Sequence, residues 1–346
     1  MAVAEVVVVG TGVMGAAAAR SLARAGREVV MLERFGIGHH HGSSHGPARI
    51  FRLSYGDPLY VRMAQEALPL WRELEVESGE ALLTTTGGLD LGGSSELELH
   101  ASALEACGAA FERLPSKEVH DRFPALSVGA ESQALFQPET GVLNSKRAWQ
   151  AFVDSATASG ATLRDGERVL SLAEVGGLAE IRTESETIRA RVGLVTAGAW
   201  TRGLLTGIGI ELHTVPTRET IGYFRFDGDV PVVVEWGDPA RFLLPVPGFG
   251  IRSGEHHAGP ETDPDALGEV DQESISRTSA WLEERLPGVE ATPHVTEACI
   301  YTNTEDESFL LERHGPFVIG SACSGHGFKF APLIGEQLAA LAVDRS

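Results

Sequence analysis

The sequence is poor in cysteine, with only Cys107, Cys299 and Cys323 in 346 residues and no CxxC spacing among them. That scarcity excludes a disulfide framework and a cysteine-based zinc module, and it fits a reducing cytoplasm. Long apolar runs are also missing: none approaches the ~20 residues a membrane-crossing helix needs, and Met1–Glu5 lacks the basic start of a secretory leader. Positive charge is scarce too. Twenty-eight Lys and Arg against 48 Asp and Glu leave a net charge of -20, which repels a phosphate backbone and excludes nucleic acid as a partner. There is no internal repeat and no low-complexity linker. What remains, 43% hydrophobic and 22% charged residues over this length, is the composition of a globular chain with room for two lobes.

Glycine, by contrast, is abundant, and two glycine motifs stand at opposite ends of the chain. Near the N-terminus an apolar strand over 4–9 runs into Gly10-Thr-Gly12-Val13-Met14-Gly15, then an Ala-rich helix over 13–26 and a strand over 28–33 that ends in Glu33. The glycines allow a tight turn and close backbone approach to a pyrophosphate at the helix N-terminus, while an acid at the end of the second strand suits ribose hydroxyls. This motif predicts a dinucleotide but does not separate NAD from FAD. Near the C-terminus stands Ser324-Gly325-His326-Gly327-Phe328-Lys329, a glycine-flanked turn carrying a cation.

Between them, periodicity predicts a helix over 57–79 with an apolar stripe of Leu59, Met63, Ala67, Leu70, Trp71 and Leu74, kinked at Pro69. Short strands and one or two helices follow over 84–137, a helix over 142–161, and strands near 161–165, 168–173 and 187–195. A strand-rich block over 211–254, a helix over 271–286, strands near 294–301 and 316–320 and a last helix over 328–343 complete the reading. The fold class is α/β, α+β overall, with a Rossmann-like nucleotide domain from 1–83, 138–210 and 299–346. A substrate domain with a mixed or antiparallel sheet, from 84–137 and 211–298, is inserted in it. Arg49 and Arg52, three apart, are expected on one helical turn and so to face one site. The run His39-His40-His41 with His45 is not expected to hold a metal, since consecutive imidazoles do not converge and no acid or cysteine cluster completes a site.

Five ordered motifs carry a resemblance: the N-terminal glycine motif, the stretch Gly42–Gly56 containing Ser43, Ser44, His45, Arg49 and Arg52, then Gly198-Ala-Trp200, Cys299-Ile-Tyr301-Thr and Ser324–Lys329. In these the chain resembles the monomeric sarcosine oxidase and N-methyltryptophan oxidase family, within the D-amino-acid oxidase-like FAD fold. The resemblance implies FAD, joined through the Cys299 sulfur to the flavin 8-methyl group, and a monomer. It implies that Arg52 and Lys329 hold a substrate carboxylate, that Arg49 lies on the other flavin face, and that Gly325 to Lys329 line the flavin N1/O2 edge. His256 falls on the substrate side and Tyr301 forms an aromatic wall. The cofactor set it implies also includes Arg34, Ala197, Gly198 and Trp200.

Two positions depart from that family. Arg252 stands where the resemblance expects the lysine associated with oxygen, and Phe242 where it expects a tyrosine. A guanidinium is broader and more diffuse than an ammonium. The expected activity is oxidation of the C–N bond of a small N-methyl or cyclic amino acid to an imine, with Arg49, Arg252, His256, Tyr301 and Lys329 as the catalytic group. The electrons go to O2, giving H2O2, or to another acceptor. A NAD-dependent dehydrogenase and a non-catalytic flavin-binding scaffold are the rival readings. Cys107 and Cys323 are read as structural.

Overall fold

Four consecutive valines, Val6 to Val9, sit at the centre of the first sheet, and all are buried, as a strand covered on both faces requires. The computed structural model describes residues 3–266, 268–321 and 324–344. Strand β1 (Val3–Val9) pairs in parallel with β2 (Val29–Leu32) on one side and with Thr187–Val195 on the other. The edge of Thr187–Val195 is shared. Its first half takes Leu178–Thr183 in antiparallel fashion, and Gly193 to Val195 take Phe317 to Ile319 in parallel. Helix α1 (Val13–Arg24) covers one face and packs against Ser145–Ala158 and the C-terminal helix Ala331–Val343. Its row of buried alanines permits that close three-helix packing.

The second sheet has eight strands. Val295–Asn303, Val215–Phe224, Gly250–His256, Ala240–Val246 and Val232–Glu235 form an antiparallel run, joined in parallel to Gly88–Leu91, beyond which lie Gln133–Gln137 and Glu112–Pro115. The helix Gln272–Arg285 covers this sheet with Trp281 and Leu282. Strand Val295–Asn303 pairs with residues 215–223 along its whole length, so the boundary expected at residue 299 falls inside a strand of the second sheet.

Two local expectations change. Helix α2 (Pro58–Ser78) begins where Asp57 accepts the Leu59 N–H at 2.8 Å, and ends at Gly79 in the left-handed conformation; Pro69 lies inside it. Its buried face is Val61, Ala64, Ala67, Trp71 and Leu74, while Leu59 in the first turn is half exposed. Residues 49–51 form a strand, β3 (Arg49–Phe51), rather than a helical turn, because they pair with Gly141–Leu143 in a small three-stranded sheet. Arg49 and Arg52 nevertheless line one cavity.

Candidate active site

One cavity of about 440 Å³ runs between the two sheets, from the turn after β1 to Lys329. Every residue singled out for a site lines it except Gly15 and His45, which lie directly behind its wall.

Backbone makes up most of the nucleotide end. A Cβ on Gly15 would lie 2.1 Å from the Gly10 carbonyl oxygen, so only glycine lets α1 start this close to β1. The Ser44 hydroxyl accepts the Val13 N–H at 3.0 Å, tying the 42–46 loop to the helix start. Gly12 offers no side-chain cap, which leaves first-turn N–H groups for an anion. Glu33, buried at the end of β2, accepts the N–H groups of Thr11 at 2.9 Å and Phe35 at 3.1 Å. Its carboxylate keeps lone pairs for ribose hydroxyls. Trp200 donates its indole N–H to Asp265 at 2.9 Å, and Arg34 pairs with the same carboxylate. Glycine cradle, uncapped helix start and buried acid together fit the ADP half of FAD.

At the middle of the cavity, Arg49 gives its guanidinium to the carbonyls of Ala48, Ser43 and His45 at 2.8, 2.9 and 2.6 Å. Cys299 is buried beside it, and desolvation raises its thiol pKa while Arg49 and Arg252 work against that rise. Among the described residues neither ring nitrogen of His45 has a hydrogen-bond partner, and burial lowers its pKa to about 4. Ligand atoms of His45, Glu297 and Cys299 lie within 4.8 Å of one another. The partly buried Arg49 and the buried Arg252 guanidiniums against this group oppose a bound cation. No other member of the histidine run joins this cluster: His41 stacks on Phe35, His40 packs edge-on against the His45 ring, and His39 lines the cavity 3.4 Å from Glu33. Cys107 caps the helix Ser94–Ala106, and Cys323 lies outside the described residues.

Cations and aromatic rings build the other end. Arg52 is sandwiched between the rings of Tyr55 at 4.5 Å and Trp236 at 4.7 Å, with Asp90 at 3.6 Å. Asp90 also accepts the Trp236 indole N–H at 2.9 Å. Lys329 is buried, with its Nζ 2.7 Å from the Tyr55 hydroxyl and 2.9 Å from the His326 carbonyl. Burial, then Arg52, holds its pKa well below the ordinary lysine value. Burial foremost lowers His326 to about 3, and its ring nitrogens meet Tyr55 and the Glu307 carbonyl. The Nδ1 of His256 lies 3.2 Å from the Tyr301 hydroxyl. Both rings press on Gly325, whose φ is +72° and where a Cβ would lie 2.3 Å from Tyr301. Arg252 lies 5.5 Å from the Phe242 ring.

Sequence reasoning overlooked Asp90, Trp236 and Glu297. Asp90 did leave a signal: it is an acid inside the strand Gly88–Leu91, where every residue is buried. Trp236 left none, because its role depends on the pairing of Val232–Glu235 with Gly88–Leu91.

Set against known proteins, residues 5–341 match the family described as FAD dependent oxidoreductase, DAO. Human peroxisomal sarcosine oxidase is 33% identical, over 96% of this chain and 90% of its own length. Monomeric sarcosine oxidase of a Bacillus species is 32% identical, over 98% and 92%. Among solved structures, the open form of NikD, an unusual amino acid oxidase essential for nikkomycin biosynthesis, superposes with a TM-score of 0.90 at 28% identity, covering 100% of this chain and 95% of that one.

Proposed function

The chain belongs to the DAO family of FAD-dependent oxidoreductases acting on C–N donors, and from that premise we propose that it oxidises a small secondary amino acid, N-methylated or cyclic, to the imine. The observation that carries this reading is the far end of the cavity, where Lys329, buried and with no carboxylate paired to it among the described residues, stands with the partly buried Arg52, itself 3.6 Å from Asp90, beside aromatic walls in a protein of net charge -20. Burying cations is costly unless an anion meets them, and a carboxylate held by a guanidinium and a lysine gains charge-assisted hydrogen bonds. In this reading the parallel sheet is the FAD-binding domain and the second sheet carries the substrate wall. Bound FAD supplies the acceptor for the hydride-equivalent leaving the carbon beside nitrogen.

Arg52 and Lys329 orient the substrate through its carboxylate. Tyr301, His256, Phe242 and Trp236 exclude water from the reacting carbon. Arg49 and the 325–329 backbone supply positive potential along the flavin, with Cys299 as its covalent anchor. The relatives' printed activities, sarcosine oxidation and amino acid oxidation in a biosynthetic pathway, both fall within this class. Electrons then pass to O2, giving H2O2. Arg252 favours a second reading, an amine dehydrogenase with another acceptor, because its charge is spread over a planar group enclosed by Tyr223, Glu297 and Cys299.

Flavin bleaching without air tests the proposal, across sarcosine, other N-methyl amino acids, L-proline and pipecolate. At least one is expected to bleach the bound flavin; no bleaching by any secondary amino acid would sink the reading. Admitting air then separates the acceptors, with prompt recolouring and peroxide for the oxidase and a flavin that stays bleached for the dehydrogenase. Acid precipitation should leave the yellow colour in the wild-type pellet, and Cys299→Ser should release it. A colourless wild-type pellet removes the covalent bond.

A further inference from the structure

Oxidising an amine requires its lone pair, yet amino acids dissolve mainly as zwitterions, so a proton has to leave the ammonium before the chemical step. We infer that Lys329 stands uncharged in the ligand-free pocket and takes that proton from the substrate as the carboxylate docks. The inference rests on the carboxylate-binding role proposed above.

The surroundings of Lys329 carry the argument. Its Nζ donates to the Tyr55 hydroxyl and the His326 carbonyl, contacts that use the two N–H bonds of an uncharged amine and leave its lone pair for the cavity. Among the described residues no carboxylate pairs with it. From the segment after β3 it meets Arg52 and Tyr55, and Arg52 holds the neighbouring Asp90 at 3.6 Å. Tyr60 of α2 packs on His326, and the sheet side presents His256 and Tyr301. Beyond His326, the Glu307 carboxylate lies 3.7 Å from His257. A second full charge beside Arg52, buried and without a counter-ion, is strongly disfavoured, in agreement with the lowered lysine pKa.

The histidines are poorer acceptors. His326 has both nitrogens engaged, and His256 uses one on Tyr301. In the step itself the ammonium N–H bond breaks and an Nζ–H bond forms, with no change in oxidation state. The pocket then holds a lysine cation against the carboxylate and a free-base amine against the oxidising centre. One residue thereby performs deprotonation and anchoring in a single event.

Calorimetric titration of the FAD-loaded protein near pH 8, in buffers of different ionisation enthalpy, tests this. The probes are 2-furoate, a carboxylate with no proton to give, and 2-aminoisobutyrate, a zwitterion with no α-hydrogen to lose. Wild type is expected to take up about one proton per furoate and about none per aminoisobutyrate. Lys329→Arg, permanently charged, should bind furoate with about no uptake. Lys329→Met, never charged, should bind it more weakly and also without uptake. Furoate binding without proton uptake in wild type overturns the inference alone, as does uptake that persists in either variant, which would assign it to a histidine. If wild type binds neither probe, the carboxylate site fails and the inference fails with it.

Discussion

The two ends of the cavity are built on opposite plans. At the nucleotide end, recognition comes from main-chain groups: glycines that bring helix and strand together, an uncapped helix start, and one acid held by two backbone N–H groups. At the other end it comes from long side chains, Arg52 and Lys329, held by aromatic rings and carbonyls. Main chain is nearly indifferent to substitution except at the glycines, so the first end has a few absolute requirements. The second end is adjustable, and the departures from the resembled family, Arg252 and Phe242, fall there.

The sharpest way to break the comparison is Gly15→Val. With no room even for a Cβ, the turn cannot close, and loss of essentially all bound flavin is expected, measured as the flavin-to-protein absorbance ratio. Full flavin content in this variant would refute the backbone account. Next comes Arg52→Met, which should weaken 2-furoate binding on the order of 100-fold, the worth of a charge-assisted pair, while flavin content stays at the wild-type level. Equal furoate affinity in the two proteins removes Arg52 from the substrate end.

A further prediction is a pH dependence at the junction of the two ends. Burial lowers His45 to about 4 from its ordinary 6.5, so the unfolded chain binds the proton first as pH falls. His45 therefore takes nothing from stability above about pH 6.5 and costs progressively more down to about pH 4, on the order of 3 kcal/mol at most. His45→Asn should flatten the melting temperature against pH in that window. Identical slopes for the two proteins would place the titration elsewhere.

Legibility in the sequence follows the same division. The β1–α1–β2 unit was readable because its signals are local: an apolar run, three glycines and an acid at set distances. Residues 49–51 misled because three residues carry no period, and only pairing with Gly141–Leu143 makes them a strand. The buried face of α2 was misplaced by two residues at its start, where capping by Asp57 leaves Leu59 outside the core. Around Arg52, Asp90 and Trp236 come from strands far apart in the chain. Cross-strand partnerships of that kind leave no spacing to read.

The shared edge of strand Thr187–Val195 has a consequence for the order of assembly. Its parallel partner, Phe317–Ser321, is synthesised after every other strand of the first sheet, so that sheet stays unfinished until residue 321 has left the ribosome. The glycine turn is made early, but the cavity is complete only once residues 320–329 have been made. A nascent chain arrested before residue 317 should therefore not retain flavin.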